Sequence, residues 1–384
     1  MTARDVSTIL LVDDYPEQLN NLKSELLSSA TGLACFVEHP QDVTRELVRD
    51  ADVVLVDWRL DRWEERLRIG DVPSLQPQDG LALAAVLRSH VPLHSRPKAF
   101  ALHSAQLENL SGAVPTEIRE HALARIHNLE WVFPKRDASD HLARQIAVLA
   151  DGIRQLPDDW PADDASRTRE TVMRLFGLDP NGAWTGEAWR GVEACHPPIY
   201  ELSRASDGIA FLRWLLHRVL PYPCFLLNRD YLRARLRVTE VGLSSIESEP
   251  SSKLWQELEA VRYSGVLGQF LGGHWWKAGV DALLWNLTGG RSLSVDALQQ
   301  GIQGASESSV EFITEFPEAV VCLGADYRVL PRLYSPNDAV RIQPDDWPPY
   351  ADDAWSPVDL VLSSPHLNAI VIDSDRVYLS DRTP

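Results

Sequence analysis

Cysteine is scarce in this chain. The four present, Cys35, Cys195, Cys224 and Cys322, are widely spaced with no C-x-x-C pair, which argues against a structural zinc site and fits reduced, mostly buried thiols. Long apolar runs are also lacking. No stretch approaches the ~20 residues of a spanning helix, and the Ile9–Val12 run is too short for a signal peptide and ends in two aspartates. The chain is therefore expected to be cytoplasmic, with no membrane partner. Basic charge is the third shortage: 37 Lys and Arg face 55 Asp and Glu, a formal net charge of −18. Residues 1–155 carry 17 basic and 23 acidic side chains, which leaves 20 and 32 beyond them and a charge of about −12 there. A DNA-binding output needs a basic face and a recognisable helix-turn-helix. Neither is visible, so no DNA partner is expected. HEXXH and Gly-x-Ser-x-Gly signatures are missing as well, and the spacing of Gly265, Gly268, Gly272 and Gly273 matches neither the dinucleotide fingerprint nor the P-loop.

What is present is a set of short apolar strands that end in functional groups. Ile9-Leu10-Leu11-Val12 runs into Asp13-Asp14, and Val53-Val54-Leu55-Val56 into Asp57. Ala101-Leu102-His103 runs into Ser104, and Phe133-Pro134 into Lys135. Strands without polar alternation read as parallel strands buried on both faces. Helix-like segments over Pro16–Ala30, Gln41–Asp50, Leu81–His90, Thr116–Asn128 and Ala138–Gln155 separate them. Five β/α units in succession predict an α/β, doubly wound, five-stranded parallel sheet, with ligands beyond the carboxyl ends of its strands. Asp13, Asp14, Asp57, Ser104 and Lys135 all fall there.

Three carboxylates at one sheet edge raise one another's pKa unless a cation neutralises them, and hard oxygen ligands favour Mg²⁺. With the metal in place a carboxylate can attack a phosphoryl group, while metal and ammonium neutralise the charge that develops. Asp57 is then the nucleophile, with Lys135 and Ser104 as phosphoryl ligands.

On these residues the N-terminal part resembles the receiver domain of two-component response regulators. The resemblance implies the flavodoxin-like fold, phosphorylation of Asp57 by a histidine kinase, and Mg²⁺ held by Asp13, Asp14, Asp57 and the backbone carbonyl of Arg59. Asp14 and Asp57 would touch the metal directly. Ser104-Ala105 matches the family's hydroxyl and small-residue pair, and Asp79-Gly80-Leu81 the start of its third helix. Three departures stand out. A long insertion separates Leu60 from Asp79 beside the phosphorylation site. Lys135 is preceded by Pro134 and followed by Arg136, where the family has lysine then proline. Val132, flanked by Trp131 and Phe133, occupies the place of the usual aromatic switch residue.

The domain organisation read from sequence is a receiver over 1–155, an acidic proline-rich linker over 156–166 and a mainly helical α+β domain over 167–384. Helices are predicted at Arg167–Phe176, Asp207–Leu220, Asn228–Arg237, Ser252–Tyr263, Trp275–Leu287 and Val295–Gln303. Two β-hairpins are predicted, over Ala319–Leu330 and Ala369–Leu379. Arg229, Arg233 and Arg237 recur every four residues and read as a solvated helix face, with binding of phosphates or of an acidic partner as the alternative. Cys195-His196-Pro197-Pro198 reads as a structural turn, and His217 as a hydrogen-bonded core histidine. Ten of thirteen tryptophans lie beyond residue 155. Trp275 and Trp276, taken as helical, would point to different sides, leaving one for a partner surface.

The function expected is phosphorylation-controlled interaction: a receiver joined to a noncatalytic module that binds a downstream effector protein, as adaptor or phosphate sink. In organisation it resembles the receiver components of bacterial two-component phage-defence operons of the Detocs type. The alternative is a receiver-controlled effector enzyme of unfamiliar type acting on nucleotides or nucleic acid.

Overall fold

The apolar runs pair as predicted. In the computed structural model, which describes residues 6–63, 76–91, 96–105, 119–135, 139–158, 160, 164–202, 208–291 and 294–380, five parallel strands form one sheet. They are β1 (Ser7–Val12), β2 (Leu33–Glu38), β3 (Val53–Asp57), β4 (Ala99–Ser104) and β5 (Trp131–Pro134), in the order β2-β1-β3-β4-β5. That is the flavodoxin-like order. β3 and β4 are buried at every position, which is why they carry no polar alternation. β2 is an edge strand with only Cys35 fully buried, so its run lacks that signature and is the hardest of the five to read from sequence.

Helices α1 (Asn20–Ser29), α2 (Arg45–Asp50), α3 (Gly80–Ser89), α4 (Glu120–Ile126) and α5 (Ser139–Gln155) connect the strands. Most are shorter than predicted. Pro16–Leu19 forms a separate 3-10 turn before α1. The Thr44 hydroxyl caps α2 by accepting from the Leu47 amide, so that helix starts four residues after Gln41. Residues 116–118 and 138 of the predicted helices, and 64–75 of the insertion, lie outside the described residues.

The chain divides into two compact units. The first holds residues 1–176 together with 197–221 and 265–271. In it the helix Ala165–Leu175 is followed by Phe176, whose ring meets those of Phe211 and Trp214 at 5.5 and 6.1 Å between centroids. Trp160 is buried beside Gly208, whose backbone at φ +84° and lack of a side chain admit the indole. The late segments also cover edge strand β5. Phe270 sits edge-on to Trp131 at 4.9 Å and to Phe133 at 6.3 Å. Its carbonyl accepts a 3.0 Å hydrogen bond from the Gln145 amide on α5.

Just before β5, Glu130 is fully buried and held by two guanidinium groups, Arg88 at 3.1 Å and Arg213 at 2.6 Å. Its backbone carbonyl is bonded to His217 Nε2 at 2.8 Å. Arg213 and His217 come from one helix, Ile209–Trp214, which continues as a π-helical turn over Leu215–Val219. The hydrogen-bonded core histidine expected at 217 is found.

The second unit holds residues 177–196, 222–264 and 272–384. β6 (Leu226–Asn228) pairs antiparallel with β7 (His274–Trp276), and β8 (Val320–Leu323), β9 (Val329–Tyr334), β10 (Ala339–Ile342) and β11 (Ala354–Pro357) form a sheet in the order β10-β11-β8-β9. The first predicted hairpin is β8-β9. The second is not formed: Asp373–Ser380 is a helix, and Val371 makes only a single bridge to Ile342. Asp373 and Asp375 open that helix, where carboxylates suit the dipole, and Arg341 holds Asp375 at 2.7 Å.

Trp275 and Trp276 also require correction. They lie on β7 ahead of the helix Lys277–Leu287, and both are buried. Alternating strand faces send Trp275 into one apolar cluster and Trp276 against Phe225 and Tyr263. Trp285 is the tryptophan that is exposed, at 55%.

Candidate functional site

The carboxyl ends of β1, β3 and β5 bring the predicted residues to one cavity of about 340 Å³, lined by Asp13, Asp14, Asp57, Arg59, Arg62 and Lys135 among others. Lys135 Nζ lies 2.7 Å from Asp57 Oδ1. Lys135 is fixed from behind by its amide, which donates to the Ser104 carbonyl at 2.8 Å. Burial raises the Asp57 pKa, outweighing the hydrogen bond and charge of Lys135 that act to lower it. Asp13 is 2% exposed. Its Oδ1 accepts from the Tyr15 amide at 2.8 Å, and its Oδ2 is buried without a partner. Its carboxyl is pushed up to about 6, first by burial and then by Asp57 and Asp14, against the lowering effect of the Tyr15 amide and Lys135.

A backbone contact explains the Asp79-Gly80 pair. Asp79 caps α3 by accepting from Ala82 N at 2.8 Å, and Gly80 N donates to the Trp58 carbonyl at 2.9 Å. A Cβ on residue 80 would stand 1.9 Å from the Asp57 carbonyl oxygen. Only glycine lets α3 start against the end of β3.

These strand ends, in this sheet order, decide the fold. The N-terminal sheet fits a receiver domain. Within that receiver-like site, Asp14 is turned toward the insertion: its Oδ2 accepts from the amides of Arg62 and Trp63, the latter at 3.1 Å. Among the described residues no three carboxylates, imidazoles or thiols are spaced as a ready-made metal cage. The orphaned Asp13 oxygen and the all-oxygen donor set nevertheless suit a hard divalent cation. Ser104, 1% exposed, ends the neighbouring strand β4 and does not line the cavity. Val132 is fully buried in the apolar core.

One residue of this region escapes sequence reasoning. His103 is the register partner of Asp57 across β3 and β4, is 8% exposed, and has neither ring nitrogen hydrogen-bonded. Burial and then Lys135 push its pKa down to about 3. The signal available was a lone imidazole in an otherwise apolar strand. His217 is likewise lowered to about 3, chiefly by burial.

Both imidazoles stay neutral in the folded chain while their unfolded counterparts take up a proton near 6.5. Their stabilising effect is therefore complete above pH 6.5 and is lost as pH falls from about 6.5 toward 3. Each is expected to cost about 2 kcal/mol between pH 6.5 and 5. Thermal unfolding at pH 7 and pH 5 checks this: His217→Gln, whose amide can still donate to the Glu130 carbonyl, should show a smaller loss than wild type.

The arginine stripe is not a solvated face. Arg233 is buried, bonded to Glu240 at 2.8 Å and to the Pro331 carbonyl at 2.8 Å, and Arg229 binds Glu240 and Glu247 at 2.6 and 2.8 Å. The helix has acidic partners of its own. His196 has a left-handed backbone (φ 51°) just after the helix Thr185–Ala194, which agrees with a structural turn. In the second unit a cavity of about 880 Å³ is lined by Arg235, Arg237, Lys277, Asp281, Trp285 and Asp352 among others. Two of its cations are already paired there, Lys277 with Asp352 at 2.6 Å and Arg235 with Asp281 at 3.5 Å.

No family model matches the chain, and no curated protein matches it. Solved structures that align with it include the response regulator ChrA of a heme-sensing two-component system, at 14% identity over 56% of this chain and all of its own, with a TM-score of 0.24. The RcsB response regulator of Salmonella typhimurium aligns at 17% identity over 55% of this chain and 98% of its own, with a TM-score of 0.27. Superposition at these scores is poor, and the receiver-like fold rests on strand order and parallel pairing. Among the described residues no helix is long and apolar enough to cross a membrane.

Proposed function

We propose that the chain is a phosphorylation-controlled signalling protein whose Asp57 accepts a phosphoryl group from a histidine kinase or a small phosphodonor. The observation that carries this reading is the Asp57 carboxylate, 2.7 Å from the Lys135 ammonium in a cavity shared with Asp13 and Asp14. Asp57 supplies the attacking oxygen, and Lys135 turns from the carboxylate to the incoming phosphoryl oxygens. Asp13, Asp14, Asp57 and the Arg59 carbonyl would hold Mg²⁺, which supplies charge neutralisation at the phosphoryl group. For that, Asp14 must give up the amides of Arg62 and Trp63, so metal binding is coupled to the base of the insertion.

The output is read as protein interaction. Phe270 and Arg213 already pack against Trp131 of β5 and Glu130 just before it, so a shift at the phosphorylated edge is felt first by the chain itself. About −12 of charge beyond residue 155, with Arg229 and Arg233 neutralised by glutamates, disfavours a phosphate backbone as partner. A downstream effector protein, or a sink for phosphate in a defence or signalling operon, suits this acidic module better.

Incubation with acetyl phosphate and Mg²⁺ should add one phosphoryl mass to the intact chain, and chelation of the metal should abolish the addition. Mg²⁺ alone should speed amide exchange at Arg62 and Trp63. Labelling that ignores the chelator would refute the metal assignment.

A further inference from the structure

Two cysteines far apart in sequence meet in the second unit. Cys195 caps the end of the helix Thr185–Ala194, and Cys224 lies two residues before β6. Their thiols are in hydrogen-bond contact. The helix and the Cys224 segment approach so closely that a Cβ on Gly191 would stand 3.0 Å from Phe225 Cβ. Both line one cavity of about 230 Å³, together with Glu187, Lys277, Tyr350 and Asp352.

The pair differs from the other thiols in that each of its members has a second thiol beside it. Cys35 and Cys322 are also buried, and burial pushes them up, to about 11 and about 12. A lone buried thiol of that kind has no second thiol to resolve it, whereas an adjacent pair, though only 2% and 5% exposed, can exchange hydrogen for a sulfur–sulfur bond.

We propose that Cys195 and Cys224 form a reversible intramolecular disulfide, which makes this corner of the second unit a site of oxidative modification by hydrogen peroxide. Cys224 loses its proton to water and attacks one peroxide oxygen. The O–O bond breaks, and the departing hydroxide takes up a proton and leaves as water. The Cys195 sulfur then attacks the sulfenic sulfur of Cys224, the S–O bond breaks, and hydroxide leaves with the Cys195 proton as a second water. Two thiols have been oxidised by two electrons and one peroxide reduced to two waters. The new bond ties the end of the helix Thr185–Ala194 to the strand that precedes the Arg229–Leu236 helix. The step does not depend on phosphoryl chemistry at Asp57.

The test uses the full wild-type chain, treated with hydrogen peroxide, unfolded in the presence of an alkylating reagent and digested for mass spectrometry. The expected product is a linked Cys195–Cys224 peptide pair, within a chain of monomer mass, that disappears on reduction with dithiothreitol. Cys195→Ser and Cys224→Ser should each abolish the linked pair. The proposal is overturned if all four cysteines are recovered alkylated, if Cys195 and Cys224 are oxidised singly without linking, or if the link joins two chains.

Discussion

Asp57→Asn is expected to take up no phosphate from acetyl phosphate under conditions that label the wild-type chain. An amide offers no anionic oxygen for attack, and the other carboxylates of the cavity are engaged elsewhere: Asp14 with the metal that labelling requires, Asp13 with the Tyr15 amide and Asp61 with Arg59. The shape of the site is retained, because Asn keeps the size of Asp and the Gly80 contact is made to the backbone of residue 57. Lys135→Ala, which leaves the nucleophile but removes the ammonium 2.7 Å away, should slow labelling on the order of 10²–10³-fold. Intact mass spectrometry over time separates the two results. Wild-type labelling of Asp57→Asn would place the phosphoryl group elsewhere and remove the basis of the proposed function.

The largest effect on stability is expected at Glu130. Its carboxylate is fully buried, and replacement by alanine leaves Arg88 and Arg213, whose side chains are only 26% and 30% exposed, without their shared counter-ion. Breaking one partner out of a buried ion pair costs about 3–5 kcal/mol. Glu130→Ala should therefore lower the thermal midpoint sharply. The double variant Arg213→Met with Glu130→Leu, which removes charge of both signs, should recover part of the loss. Equal midpoints for Glu130→Ala and wild type would show that the clamp contributes nothing.

The strands at the centre of the first sheet were legible because burial on both faces forces an unbroken aliphatic run, and the functional groups follow those runs directly. Asp13, Asp57 and Lys135 meet around one cavity for that reason. Asp14 reaches the same cavity, but its bonds to Arg62 and Trp63 depend on where the insertion folds back, which no local pattern encodes. Ser104 sits at the right strand end yet does not line that cavity. The Ala369–Leu379 segment has the apolar run and turn of a hairpin, but the helix-opening aspartates and the Arg341 partner override it. Trp275 and Trp276 were misread because a three-residue strand is too short to show its period before the following helix takes over. The meeting of Cys195 with Cys224 and of Glu130 with Arg213 is long-range, and spacing alone carries no trace of either.

The cover over β5 also has a bearing on biosynthesis. Trp131 and Phe133 are complete in the growing chain long before Phe270, and Gln145 waits 125 residues for the carbonyl it binds. Until then the edge of a parallel sheet, with two aromatic rings beside it, faces water and other nascent chains, the state most prone to mispairing. The receiver-like sheet thus depends on sequence far downstream for its final shielding. Ribosome pauses or truncations between residues 135 and 271 expose the same surface that the finished protein conceals.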